Sequence, residues 1–215
     1  MTTSLKIDFV SDVSCPWCII GLKALEQAMD RIGDAVTVEL HFQPFELNPA
    51  MPAEGQDAIE HLTQKYGGTA DDMARNREAI RQRGAQLGFT FNMDKRNRVY
   101  NTFDAHRLLH WADESGHQLA LKHALFDAYF TDGLSPASHT VLVDVARKVG
   151  LDGDRAAEIL ASNAYADEVR ASEKYYLDQG IHSVPAVIIN NEHLISGGQP
   201  VELFEKALRQ IAAAV

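Results

Sequence analysis

Apolar and polar positions predict a strand, a helix and a second strand within the first 42 residues. Residues 5–10, with Leu5, Ile7, Phe9 and Val10, form a short β-rich run. Cys18, Leu22, Leu25, Met29 and Ile32 then recur every three or four positions, the spacing of one buried helix face, so residues 16–32 are predicted helical. Residues 36–42 alternate and carry Val36, Val38, Leu40 and Phe42, the pattern of a strand. Gly33 and Asp34 supply the turn before it. A β-α-β unit of this length implies a parallel pair joined by a right-handed crossover. Residues 43–52, with Pro44, Pro49 and Pro52, then predict a loop and a domain junction.

From residue 53 to 179 the pattern is almost wholly helical. Candidate helices cover 57–66, 71–87, 101–115, 118–131, 138–149, 152–161 and 165–179, with glycines between most of them. Gly84 falls inside the second, where glycine weakens a helix. Residues 92–97 read as a polar turn. This stretch is too long for a simple crossover and implies an inserted helical domain. A β pattern returns at 184–190, with a hairpin partner at 192–196. A closing helix spans 200–213, with Leu203, Ala207 and Ile211 on one face. The expected divisions are 1–52, 53–164 and 165–215, the outer two forming one α/β domain.

With 46% hydrophobic residues the chain can build a real core. Its formal charge is −10, and its 20 basic residues form no block, which argues against nucleic acid or an anionic membrane as partner. No apolar run reaches membrane-spanning length. Met1-Thr2-Thr3-Ser4 leads straight into a strand without a signal-like segment, so a cytoplasmic location is expected. Two cysteines in a reducing compartment suit catalysis better than a structural staple.

Those two cysteines are Cys15 and Cys18, separated by Pro16 and Trp17 at the predicted helix start. A helix N-terminus offers unpaired N–H groups and a partial positive charge, which stabilise a thiolate. Pro16 suits the first helical position. Cys15 then lies at the cap, within reach of solvent, as the expected nucleophile. Cys18 lies on the buried face, as the thiol that resolves a mixed disulfide at Cys15. A zinc site would need about four ligands, and no second cysteine pair exists. The helical pair His106 and His110 reads better as a helix surface or contact, so no metal site is expected. Inert buried thiols would not require this spacing.

Pro185 opens the returning β run, a position where its missing N–H is tolerated. Asp12 suits a turn cap. Asn101 is a natural N-cap, and His106 suits a core edge.

The order β-α-β, helical insert, β-β-α resembles a thioredoxin-like fold with a large all-helical domain inserted between the second and third strands. The residues carry the resemblance further. They are Asp12-Val13-Ser14-Cys15-Pro16-Trp17-Cys18, Phe42-Gln43-Pro44-Phe45-Glu46-Leu47-Asn48-Pro49, Asn101-Thr102-Phe103-Asp104-Ala105-His106-Arg107, Gly180-Ile181-His182-Ser183-Val184-Pro185 and Ile195-Ser196-Gly197-Gly198-Gln199-Pro200. Together they resemble the FrnE subfamily of DsbA-like dithiol–disulfide oxidoreductases. The resemblance implies that Cys15, Cys18 and Pro185 are catalytic, with Pro185 cis and beside the cysteines. It implies that Asp12, Ser14, Pro16 and Trp17 support them, and that the Val184 backbone pairs with a thiol or disulfide substrate. It also places Asn101 and His106 near the active site. Periplasmic DsbA enzymes carry histidine where this chain has Trp17. An indole cannot supply a positive charge, so the pair is expected to be less oxidising than theirs.

Kappa-class glutathione transferases and hydroxychromene-carboxylate isomerases are related, and use a serine where this chain has Cys15. Cys18 argues for an oxidoreductase over a glutathione-dependent isomerase or transferase of that kind. The resemblance makes glutathione a possible co-substrate, its carboxylate at Gly198 and Gln199, with no cofactor required. Protein substrates bearing thiols or disulfides are the other expected partners. A third reading is a holdase-like binding protein, with Trp17, Phe42, Phe45 and Leu47 as apolar contacts. The sequence leaves the oligomeric state open.

Overall fold

The computed structural model describes residues 3–214; the expectation drawn from Met1 and Thr2 lies outside them. Strand β1 (Thr3–Ser11) runs parallel to β2 (Val36–Pro44) and antiparallel to β5 (Ala186–Ile189), which pairs with β6 (His193–Ser196). The sheet order is β2-β1-β5-β6. β1 is central, and Leu5, Ile7, Phe9 and Val10 have no exposed surface. Register sets Phe9 opposite Phe42, their rings meeting edge to face at 5.7 Å. It also sets Val10 opposite Ala186. The residue before β5, Pro185, is therefore carried to the end of β1, beside the turn that leads to Cys15.

Helix α1 (Pro16–Ile32) crosses between β1 and β2, as its apolar stripe predicts, and buries Cys18, Leu22, Leu25 and Ile32. Helix α9 (Val201–Ala214) packs beside it. Between the strand pairs lie α2 (Ala58–Tyr66), α3 (Ala70–Gln86), α4 (Phe103–Asp113), α5 (Gln118–Phe126), α6 (His139–Lys148), α7 (Gly153–Ala161) and α8 (Ala166–Asp178). Two short strands, β3 (Gln56–Asp57) and β4 (Arg98–Val99), pair across the insert. Two residues are too few for a period to reveal. No helix of the described residues is long and apolar enough to cross a membrane.

The helical stretch has two parts. Ile80 and Leu87, with Phe89, Phe91, Phe126, Tyr129 and Phe130, join the same apolar cluster as α1 and the sheet. Helices α4 to α7 gather around a second cluster that reaches Val13. Helix α8 packs against β2 and α4. The expected helix at 118–131 ends as an α-helix at Phe126 and continues as a π-helical turn (Asp127–Thr131). The expected helix at 101–115 begins two residues later, because the Asn101 side chain accepts the Phe103 amide before the helix starts. Gly84 stays helical for a packing reason: a Cβ there would stand 2.5 Å from the Phe91 ring.

Candidate active site

The site begins with a turn. The Cys15 amide donates to the Asp12 carbonyl at 3.1 Å, and the Ser14 amide to the Asp12 carboxylate at 3.0 Å. Cys15 then caps α1 with extended backbone, Pro16 is the first helical residue, and the first turn holds no acid. The other Asp12 oxygen accepts the Leu47 amide at 2.7 Å. One buried carboxylate thus ties the cysteine turn to the loop after β2. Burial opposes its ionisation, but hydrogen bonding and charge from His106, with the Leu47 and Ser14 amides, hold its carboxyl below the usual range.

Both cysteines are free thiols. Cys18 has no exposed surface; burial, with Cys15 beside it, pushes its thiol well up. Cys15 is only 4% exposed, which corrects the expectation of a solvent-reached thiol. It lines a cavity of about 840 Å³ formed by the loop after β2, by α2 and α3, by Trp17 and by residues 182–184. The helical insert covers the thiol, so access runs through this cavity. The Val184–Pro185 peptide is cis, and the Cys15 thiol stands 3.7 Å from the Val184 carbonyl oxygen. Trp17 is 39% exposed and lines the same cavity. Ser14 lines it too, its hydroxyl buried without a partner among the described residues.

Four residues expected to meet substrate sit elsewhere. Asn101 donates to the Glu46 carboxylate and to the Pro49 carbonyl. Glu46 in turn pairs with Arg170. His106 is 3% exposed; its Nε2 lies 3.1 Å from the Phe45 carbonyl oxygen and 3.8 Å from Asp12. Both side chains are committed to holding residues 45–49, and neither lines the cavity. Gly198 and Gln199 also lie outside it. A Cβ on Gly198 would stand 3.0 Å from the Trp17 carbonyl, so this glycine lets the chain before α9 close on α1. The Gln199 side-chain amide donates to the Ser196 carbonyl.

The cavity also holds groups the sequence reading missed. Lys65 of α2, Arg77 of α3 and Arg96 line it with His61 and His182. The acids facing them are Glu46, paired with Arg170, and Asp72, paired with Arg75. Lys65 donates to the Leu47 carbonyl and the Asn48 side chain. The Arg96 guanidinium lies over Tyr129 and Phe130, its Nε without a partner among the described residues. Three cations thus line the thiol's cavity inside a chain of charge −10. A signal was present: Met73, Arg77 and Ile80 share one face of α3 by spacing, as His61 and Lys65 do on α2.

A thiol pair at a helix start beside a cis proline is a thiol–disulfide exchange site in form. The model of the DSBA-like thioredoxin domain matches residues 6–209. The chain belongs to this family. Its similarity extends to a probable DsbA oxidoreductase from Streptomyces coelicolor, 33% identical, with a TM-score of 0.91 over 98% of this chain and 90% of that one. The uncharacterized protein YwbO of Bacillus subtilis is 28% identical, covering 97% of this chain and 96% of that protein. The cytosolic disulfide reductase DsbM of Pseudomonas aeruginosa, solved with GSH, shares the fold at 16% identity and a TM-score of 0.64, over 96% of this chain and 98% of that one. Membership in the DsbA-like family supports oxidoreductase or isomerase chemistry on thiols and disulfides.

Proposed function

We propose that the protein is a dithiol–disulfide oxidoreductase acting on small anionic thiols and disulfides, glutathione among them. The observation that carries this is the Cys15 thiol at the Val184 carbonyl, inside a cavity lined by Lys65, Arg77 and Arg96. The Cys15 thiolate attacks a substrate disulfide, forming a mixed disulfide and releasing one thiol. Cys18, one turn away on α1, attacks the Cys15 sulfur, closes the Cys15–Cys18 disulfide and releases the second thiol. The reverse sequence oxidises a dithiol. The free N–H and C=O of a peptide-like substrate can pair with the Val184 backbone, which leads through the cis Val184–Pro185 peptide into β5. The cations match its carboxylates. The covered position of Cys15 favours a small or extended substrate over a folded one. No cofactor enters this scheme, and a cytoplasmic location fits a chain whose only cysteines form the motif.

The test is the redox equilibrium of the pair in glutathione buffers, read by mass after trapping free thiols. A two-electron transition between dithiol and Cys15–Cys18 disulfide is the expected result. A glutathione adduct at Cys15 that never resolves, with turnover surviving Cys18→Ser, would point instead to a glutathione-dependent isomerase or transferase. Chain protection that persists without either cysteine would point to a holdase.

A further inference from the structure

Lys122, on α5, is fully buried, and its Nζ has no hydrogen-bond partner among the described residues. Buried cations are ordinarily paired, because removing a charge from water is costly. Among the described residues no carboxylate forms an ion pair with this one. Its ammonium rests on two aromatic faces, 5.6 Å from the Phe42 ring centre and 5.3 Å from that of Phe126. Phe42, Phe126 and Cys18 belong to one buried cluster. His106 and His110 line the cavity of about 10 Å³ beside Lys122, where β2 contributes only Phe42, Gln43 and Pro44, none of which titrates.

We propose that Lys122 is a positioning residue for the second exchange step, its buried ammonium stabilising the Cys18 thiolate as it attacks the mixed disulfide. This rests on the dithiol–disulfide reading above. Electrostatics supports it in both directions: Lys122 favours ionisation of Cys18, and Cys18, Asp12 and Cys15 favour protonation of Lys122. Burial nevertheless brings the Lys122 amine down to about 8, so the ammonium dominates at neutral pH and fades above it.

The step balances without a further reactant. Cys18 loses its thiol proton, and its sulfur bonds to Cys15 as the Cys15–substrate S–S bond breaks. The departing substrate sulfur takes the electron pair and the proton. In this step Cys18 is oxidised, Cys15 stays at the disulfide level and the substrate sulfur is reduced. The charge that eases Cys18 ionisation thus comes from the helical insert rather than from the sheet beneath the motif.

The experiment follows single turnovers of reduced protein with glutathione disulfide, quenched in acid and resolved by mass into mixed-disulfide and closed-disulfide species. Lys122→Met is expected to slow closure at pH 7 by about tenfold or more and to move its pH profile upward by about one unit. Lys122→Arg, which keeps the charge, is expected to restore closure. Wild-type closure kinetics and pH profile in Lys122→Met would overturn the proposal. A wild-type mixed disulfide that never closes would overturn the dithiol reading itself. The wild-type protein supplies a readout that needs no variant. By lysine-resolved NMR, Lys122 should titrate at different pH in the dithiol and disulfide forms, and identical midpoints would overturn the coupling.

Discussion

The Cys15 thiol stands 3.7 Å from the Val184 carbonyl oxygen, although 169 positions separate the two residues. The sheet makes this contact. β1 delivers Cys15 from one side, and its antiparallel pairing with β5 brings Val184 back to the same edge. A substrate held along Val184 is therefore presented to the nucleophile.

Replacing Cys15 with serine should lower thiol–disulfide exchange by about 1,000-fold or more, since the attacking thiol is gone. Replacing Cys18 should instead stall the cycle after its first exchange. Mass analysis would then find a stable substrate adduct on Cys15, and a rapidly resolved adduct in Cys18→Ser would contradict the assigned order.

Arg77→Gln and Lys65→Gln should each raise KM for glutathione disulfide by about tenfold while changing it little for an uncharged disulfide. The discrimination should shrink as salt rises. Equal losses on charged and neutral substrates would mean that these cations shape the cavity rather than select its occupant.

Asp12 carries a pH signature. Its carboxyl is held below the ordinary range in the folded protein, so its contribution to stability is complete above the unfolded value near 3.9. That contribution is lost as the pH falls through the lower folded value. Asp12→Ala should cost about 3 kcal/mol at neutral pH, because the Ser14 and Leu47 amides lose their acceptor. It should also flatten the acid limb of the stability curve measured by denaturant titration.

Lys122 carries the opposite signature. A lysine lowered from 10.5 to about 8 by burial destabilises the fold at neutral pH, and stability should rise between pH 8 and 10.5 as the folded form sheds its proton first. Lys122→Met should remove that rise and increase stability at pH 7 by up to about 3 kcal/mol. A stability curve unchanged in this window would show that the folded amine titrates as the unfolded one does, well solvated rather than buried.

Gly84→Ala tests the insert's share of the core. The added methyl must displace the buried Phe91 ring, for a loss of about 1–3 kcal/mol in denaturant unfolding. Thiol exchange in the folded fraction should persist. A neutral substitution would mean that α3 and the Phe89–Phe91 turn are loosely seated.

The periodic elements were legible along the chain. β1, α1 and β2 follow from local spacing, because a buried face must repeat with the element's own period. The Cys15–Cys18 pair and Pro185 were legible because their chemistry is strictly local or their backbone restriction is severe. Lys65 and Arg77 left only a shared helix face as a trace, and Arg96 left none, since nothing in a helical charge pattern says whether that face meets water or a cavity. Asn101 and His106 do not line the cavity, because Glu46, Pro49 and Phe45 take their polar atoms.

By itself the sequence determined a redox-type motif at a helix start and the alternation of strands and helices around it. Tertiary structure alone decided that α2 and α3 close over Cys15, that three cations converge there, and that Lys122 is buried with no ion-pair partner among the described residues. The physical reason is range. Periodicity and capping act within a turn or two of the chain, whereas burial and charge depend on which distant segments exclude water from a given atom.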